Sequence, residues 1–115
     1  MKLSELGIDS TKVSLLDFDR TTNAFNFVFE KDLKAGEVVI VKMPAVSANK
    51  RGVNDIGWLS DGYVTLYGTL SRNPKNENAL WQEIKENDEV NKVTSALAVV
   101  NNGGACRIEM RAIFN

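Results

Sequence analysis

The chain has 115 residues, of which 43% are hydrophobic, so it can bury one core of ordinary size. Its 14 basic and 15 acidic residues nearly cancel, whereas nucleic-acid binders usually carry a basic stripe. It has no histidine and one cysteine, which argues against transition-metal sites and histidine-based triads. We therefore expect one domain over residues 1–115, with no cofactor, no metal and no nucleic-acid partner.

The N-terminal residues do not resemble a signal peptide. Met1 to Leu6 lacks the apolar run that an export signal needs, and no later stretch approaches the roughly 18 apolar residues of a membrane span. We therefore expect a protein made in the cytoplasm without an export signal and without a membrane partner. Ser4 to Ile8 predicts a single helical turn, and the N-terminal arm is a candidate contact segment.

Three strands are predicted in the next stretch. Val13 to Phe18 is a short apolar run, and Ala24 to Glu30 alternates with its phenylalanines on one face. A turn at Lys34 to Glu37 leads into Val38 to Val41, which is apolar on both faces. Such a run is typical of a strand buried in the middle of a packed sheet. Pro44 lacks the N–H that a ladder needs, so the strand should end before it.

Residues Ala45 to Gly57 have the least regular pattern, and a long loop of this kind is often functional. An Asp61-Gly62 turn signal follows. The strand Tyr63 to Leu70 then places four alternating side chains on one face: Tyr63, Thr65, Tyr67 and Thr69. Such residues are common on ordinary exposed strands, but tyrosine is also enriched where proteins meet. We therefore treat this face as a candidate interaction surface.

A short helix is predicted after Asn73-Pro74, because Ala79, Leu80, Trp81 and Ile84 lie at helical spacing. Within this helix we expect Trp81 to pack in the core. The nearby carboxylates could serve a glycosidase only if one had a raised pKa, so we interpret them as a solvated face; they are Glu83, Glu86, Asp88 and Glu89.

The last stretch, Val93 to Asn115, predicts two strands joined as a hairpin by Asn101-Asn102-Gly103-Gly104. In the second strand, Cys106 and the alternate residues after it are apolar, and we interpret this cysteine as a small core residue. The opposite face carries Arg107, Glu109 and Arg111, where a neighbouring subunit could dock. Closely spaced strands with one short helix predict a mainly β fold: an antiparallel β-sandwich or jelly-roll-like barrel.

Part of the C-terminal half resembles small virion proteins of tailed bacteriophages. The resemblance lies in Gly68 to Ser71, Ala79 to Ile84, Asp88 to Lys92 and the closing Ile108 to Asn115. It implies a β-rich accessory protein of the particle, such as a head-decoration (cement) protein or a tail or fibre component. The expected partners are the major capsid protein or other virion proteins, and we also expect a homo-oligomer. It carries over no functional residues.

Two functions follow as hypotheses. The first is a non-enzymatic capsid decoration or cement protein, which would use the tyrosine-threonine face, the Ala45 to Gly57 loop and the N-terminal arm. The alternative is a carbohydrate-binding tail or fibre module for host-surface attachment, with Trp58, Tyr63 and Tyr67 stacking on sugar rings. An enzyme is the least favoured class.

Overall fold

A computed structural model describes residues 1–21, 26–44, 54–85 and 94–114. Two short 3₁₀ helices, Leu3–Leu6 and Ser10–Lys12, precede the strands. The nine strands are β1 (Ser14–Asp17), β2 (Asp19–Arg20), β3 (Asn26–Leu33), β4 (Val38–Lys42), β5 (Asn54–Ser60), β6 (Val64–Thr69), β7 (Trp81–Ile84), β8 (Ala96–Asn101) and β9 (Cys106–Phe114).

The strands form two sheets that pack together as a β-sandwich, as the sequence predicts. One sheet has five strands in the order β1-β4-β8-β6-β7, and the other has four in the order β2-β3-β9-β5. All pairs are antiparallel except β1 with β4, which is parallel. Among the described residues no helix is long and apolar enough to span a membrane.

The main core lies between the inner faces of the two sheets. Phe27 and Phe29 of β3 and Met110 of β9 meet Val39 and Leu66 of the other sheet, and each is at most 6% exposed. In β9 the alternation predicted from the sequence holds, because Ile108, Met110 and Ala112 are buried. Cys106 packs against this core but is only partly buried. The apolar faces of both sheets are thus covered by one another.

A second apolar cluster covers the outer side of the five-stranded sheet. Ile40, on the face of β4 opposite Val39, packs with Leu3 and Val13 of the N-terminal segment and with Trp81. The main chain of Met1 pairs with Trp81 in both directions, at 2.9 and 2.6 Å. The predicted burial of β4 on both faces is therefore confirmed, and the N-terminal arm is packed into the fold.

The predicted helix at Ala79 to Ile84 is wrong, because Trp81–Ile84 is a strand paired with β6. Ala79 and Trp81 are buried while Leu80 is 65% exposed, so burial here has a period of two. The helix was predicted because Leu80, which is apolar but exposed, was treated as a core residue. The loop predicted over Ala45 to Gly57 is also partly wrong, since β5 begins at Asn54; residues 45–53 lie outside the described residues.

The predicted closing hairpin is wrong as well. β8 belongs to the five-stranded sheet and β9 to the four-stranded one, so the segment between them passes from one sheet to the other. The same holds for the Asp61-Gly62 turn between β5 and β6 and for the turn before β4. The turn positions were predicted correctly, but the strands that flank each turn do not pair with one another.

These three crossings meet around the buried side chain of Asn101. Its Nδ2 donates to the carbonyl oxygens of Lys34 and Gly104, at 2.8 and 2.9 Å, and its Oδ1 accepts from the Gly103 N–H. Its own N–H donates to the Glu37 carbonyl. The next residue links the crossing between β5 and β6, because the Asn102 N–H donates to the Tyr63 carbonyl at 2.7 Å. The Asn101 amide side chain therefore ties two of the crossings together, and the Asn102 main chain joins the third to them.

Asn101→Ala should lower the free energy of unfolding by about 2–4 kcal/mol, because it leaves buried carbonyl and N–H groups without partners. Urea denaturation followed by tryptophan fluorescence measures this change. Asn102→Ala is the matched control, since its exposed side chain makes one bond, to Thr65 Oγ1. The control should lose less than about 1 kcal/mol. Equal losses for the two variants would contradict a special role for Asn101.

Gly62 provides a second test of the crossings. A Cβ atom at this position would lie 2.6 Å from Cys106 Cβ and 2.8 Å from its Sγ. Gly62→Ala should therefore cost about 1–3 kcal/mol through overpacking, again measured by urea denaturation. Gly104→Ala is the control, because none of the described residues lies within 4 Å of its added Cβ. If both variants unfold at the same urea concentration, the two crossings are not packed as described.

Candidate interaction surface

The outer face of the four-stranded sheet carries an ordered group of charges around Arg107. In the strand register, Arg107 of β9 lies opposite Asp32 of β3, and Glu109 lies opposite Glu30. Because alternate side chains share a face, all four point away from the core. We call this surface the charged outer face and define it by Glu30, Asp32, Arg107, Glu109 and Arg111.

Arg107 contacts three carboxylates at once. Its Nη2 lies 3.0 Å from Glu30 Oε2, its Nη1 lies 3.1 Å from Asp32 Oδ1, and its Nε lies 3.4 Å from Glu109 Oε1. The hydrogen bonds that Arg107 donates to Asp32, and then to Glu109, raise the pKa of its guanidinium. The guanidinium is therefore shared between two carboxylates of β3 and one of its own strand, β9.

The charge of this group is unbalanced. Three carboxylates surround one guanidinium, so the group is net negative. Glu30 and Glu109 lie directly opposite one another, an arrangement that is unfavourable for like charges. Arg107 lies against both and offsets this repulsion. At this end of the face, a partner with basic groups would be favoured.

The other end of the face is less acidic and partly apolar. Arg111 lies opposite Val28 on one side and Gly57 on the other, and it makes no ion pair with any described residue. Ile113, two residues further along β9, is 37% exposed, and Leu59, which lies opposite Glu109 on the same face, is 74% exposed. An unpaired cation beside exposed apolar side chains is a combination common where proteins meet.

The other predicted residues do not join this surface. Thr65 accepts a hydrogen bond from Asn102, Tyr67 packs on the second apolar cluster, and Thr69 is only 2% exposed, with its Oγ1 donating to the Leu80 carbonyl. These residues belong to the five-stranded sheet and face the side of the sandwich opposite to Arg107. The tyrosine-threonine face is therefore not one exposed surface. The residues predicted as a single interaction surface lie on two opposite sides of the sandwich.

The three aromatic side chains proposed as a sugar-stacking platform are also apart. Trp58 packs against the core between the sheets, and Tyr67 packs on the far side of the five-stranded sheet. Tyr63 is 80% exposed, and its ring lies close over Gly103 in the neighbouring crossing. No common plane can present all three rings to one sugar chain.

A groove of about 1040 Å³ lies beside β7. Leu70, Leu80 and Trp81 contribute to its lining, and Glu83 carries the only ionisable side chain among the described lining residues. A glycosidase needs two carboxyl groups across the bond that it cleaves. The described part of the groove supplies one, and the described residues contain no cluster suited to a metal ion.

Sequence reasoning identified Arg107, Glu109 and Arg111 as outward-facing but missed the carboxylates of β3. The alternation in β3 was sufficient to place Glu30 outside, since Phe27 and Phe29 face in. What was missing was the pairing of β3 with β9, which sets Asp32 opposite Arg107. Comparison with family models, curated protein sequences and solved structures finds no match for this chain.

Arg107→Ala should destabilise the fold, because it leaves Glu30 and Glu109 facing each other without a cation between them. The urea midpoint should fall at low salt, and the difference from wild type should shrink at about 1 M salt, where the Debye length is about 3 Å. Arg111→Ala is the matched control, since Arg111 has no ion pair to lose within the described chain. If Arg107→Ala lowers the urea midpoint equally at low and at high salt, packing and not charge is responsible for the loss of stability.

Proposed function

We propose that this protein is a non-enzymatic structural component of a phage virion, made in the host cytoplasm, that decorates or cements the capsid. Its partner would be the major capsid protein or another virion protein. The observation that supports this most is the charged outer face, where Arg107 is fixed by three carboxylates on the central strands of a sheet. The resemblance of the C-terminal half to phage virion proteins supports the same reading.

A surface of this kind suits binding to a large assembly. Side chains that are already ordered lose less conformational entropy when a partner docks. The unpaired Arg111 and the exposed Leu59 and Ile113 provide further contacts next to the acidic group. A protein that binds only the assembled shell stabilises that state by mass action. No catalytic step is needed for such a role.

The carbohydrate-binding alternative has less support. Stacking on a sugar chain needs aromatic rings that are exposed side by side, and Trp58, Tyr63 and Tyr67 are separated by the core or by a sheet. Tyr63 alone is well exposed, and one ring is a weak basis for a binding module. The capsid role therefore has the better support.

Co-sedimentation with capsid shells tests the proposed role. The purified protein should pellet with shells assembled from the major capsid protein of the phage, and it should raise the temperature at which those shells break down. Arg111→Glu should weaken shell binding at least about tenfold, which corresponds to about 1.4 kcal/mol. Binding should also fall as salt is added, because exposed charges are screened.

Arg72→Glu is the matched control. It makes the same charge change at an exposed arginine in the segment between β6 and β7, away from the charged outer face. It should bind shells as the wild type does. If wild-type protein neither pellets with shells nor changes their heat resistance, the decoration role is wrong. If Arg72→Glu and Arg111→Glu weaken binding equally, the charged outer face is not the contact surface.

A further inference from the structure

The four sheet edges differ in how they are protected. Edge strands expose unpaired N–H and C=O groups, and proteins shield them by short length, charge, proline or covering segments. β2 has two residues, β1 has four and ends in Asp17, and β7 is paired by Met1 at Trp81. β5 has seven residues, Asn54–Ser60, with Asp55 as its one charged residue and without lysine or proline. Within the described chain it is the longest edge and the least protected.

The directions in which the backbone N–H and C=O groups of β5 point follow from the pairing of β5 with β9. The Arg107 N–H points toward the β5 side, where it donates to Asp61 Oδ1 at 2.8 Å. Because backbone groups alternate in an antiparallel pair, Glu109 and Arg111 also face β5 and pair with Leu59 and Gly57. The N–H and C=O groups of the alternate residues therefore point to the open edge; these residues are Ile56, Trp58 and Ser60.

Two neighbouring residues of β5 are not explained by the fold of one chain. A glycine inside a strand costs roughly 0.5–1 kcal/mol relative to alanine, yet no described residue lies within 4 Å of a Cβ built at Gly57. Leu59, on the same outer face, is 74% exposed. A strand glycine often marks the close approach of another backbone. Gly57 and Leu59 together thus indicate a missing neighbour.

A second copy of the same strand fits both residues. If two β5 strands pair antiparallel with Trp58 opposite Trp58, the open backbone groups of Ile56 face those of Ser60 in the second copy. In this register Gly57 lies opposite Leu59 of the second copy, so each exposed leucine covers a bare glycine. The two partly buried Trp58 side chains also become cross-strand neighbours on the inner face.

We propose that the β5 edge is a self-association site, at which two copies of the chain pair around a two-fold axis through Trp58. The two four-stranded sheets then form one continuous eight-stranded sheet. A two-fold interface uses the same patch on both subunits, as this register requires. The pairing rests on the geometry of β5 alone and does not depend on the capsid role, so either can fail without the other.

Sedimentation equilibrium of the full chain gives the first test, and a dimer is expected. Cysteine cross-linking then tests the register, in a Cys106→Ser background. Residues 57 and 59 of the two copies form a pair without mutual hydrogen bonds, where Cβ atoms are about 4.5–5.5 Å apart. A mixture of Gly57→Cys and Leu59→Cys chains should give disulfide-linked dimers. Neither chain alone should cross-link efficiently.

Charged variants give a test that does not rely on cross-linking. Gly57→Lys/Leu59→Lys places lysine opposite lysine, and Gly57→Glu/Leu59→Glu places glutamate opposite glutamate. Each should weaken the dimer at least about tenfold, while a 1:1 mixture should restore it as a heterodimer. Circular dichroism should show that both variants remain folded, because no described residue of the monomer lies within 4 Å of a Cβ at position 57 and Leu59 is exposed.

Three results would overturn the proposal. The first is a wild-type chain that stays monomeric at the highest concentration it tolerates. The second is cross-linking of the Leu59→Cys chain alone, which would place the axis at another residue. The third is a Gly57→Lys/Leu59→Lys variant that dimerises as strongly as the wild type does, which would place the interface on another surface.

Discussion

The buried amide of Asn101 is the interaction on which the arrangement of the two sheets depends. At 2% exposure it has no access to solvent, and its hydrogen bonds run to the turn before β4 and to the segment before β9. Each of these segments moves the chain from one sheet to the other. In a sandwich such crossings must bury polar main-chain groups at the end of the core, and these groups need partners. A single asparagine supplies several of them.

The position of β9 follows from these crossings. Because the segment after Asn101 leaves the five-stranded sheet, β9 cannot pair with β8 and instead enters the other sheet between β3 and β5. This central position places Arg107 beside the carboxylates of β3. The charged outer face is thus a consequence of the crossing: a hairpin between β8 and β9 would have placed Arg107 next to a different strand.

Local patterns were sufficient to predict most of the strands but not β7, since burial alternates in β3 and β9 and covers both faces of β4. The alternation in β9 and the two-sided burial of β4 can be read from the residues because they depend only on which side chains avoid water. The candidate site was predicted in part: outward direction was correct for Arg107 and Glu109, but Thr69 proved to be buried. Burial on the outer side of the five-stranded sheet depends on the N-terminal segment, which no strand pattern contains.

The error over the closing hairpin has one cause, which is the choice of partner strand. Turn residues such as Gly103-Gly104 and Asp61-Gly62 satisfy a hairpin and a sheet crossing equally well, so the turn alone does not identify the strand that comes next. Leu80 misled the assignment of β7 because it is apolar but exposed. In both cases the deciding contacts are distant in sequence: Met1 with Trp81, and Asn101 with Lys34.

The edge strands of the two sheets also depend on contacts that are distant in sequence. Met1 closes β7 at Trp81, and this pairing also helps to hold the N-terminal segment over Ile40, so one contact protects an edge and covers a core cluster. β5 has no comparable partner within the described chain, although it flanks the same central strand that carries Arg107. A strand that borders the charged outer face and keeps a glycine beside an exposed leucine is best explained by contacts made outside its own chain.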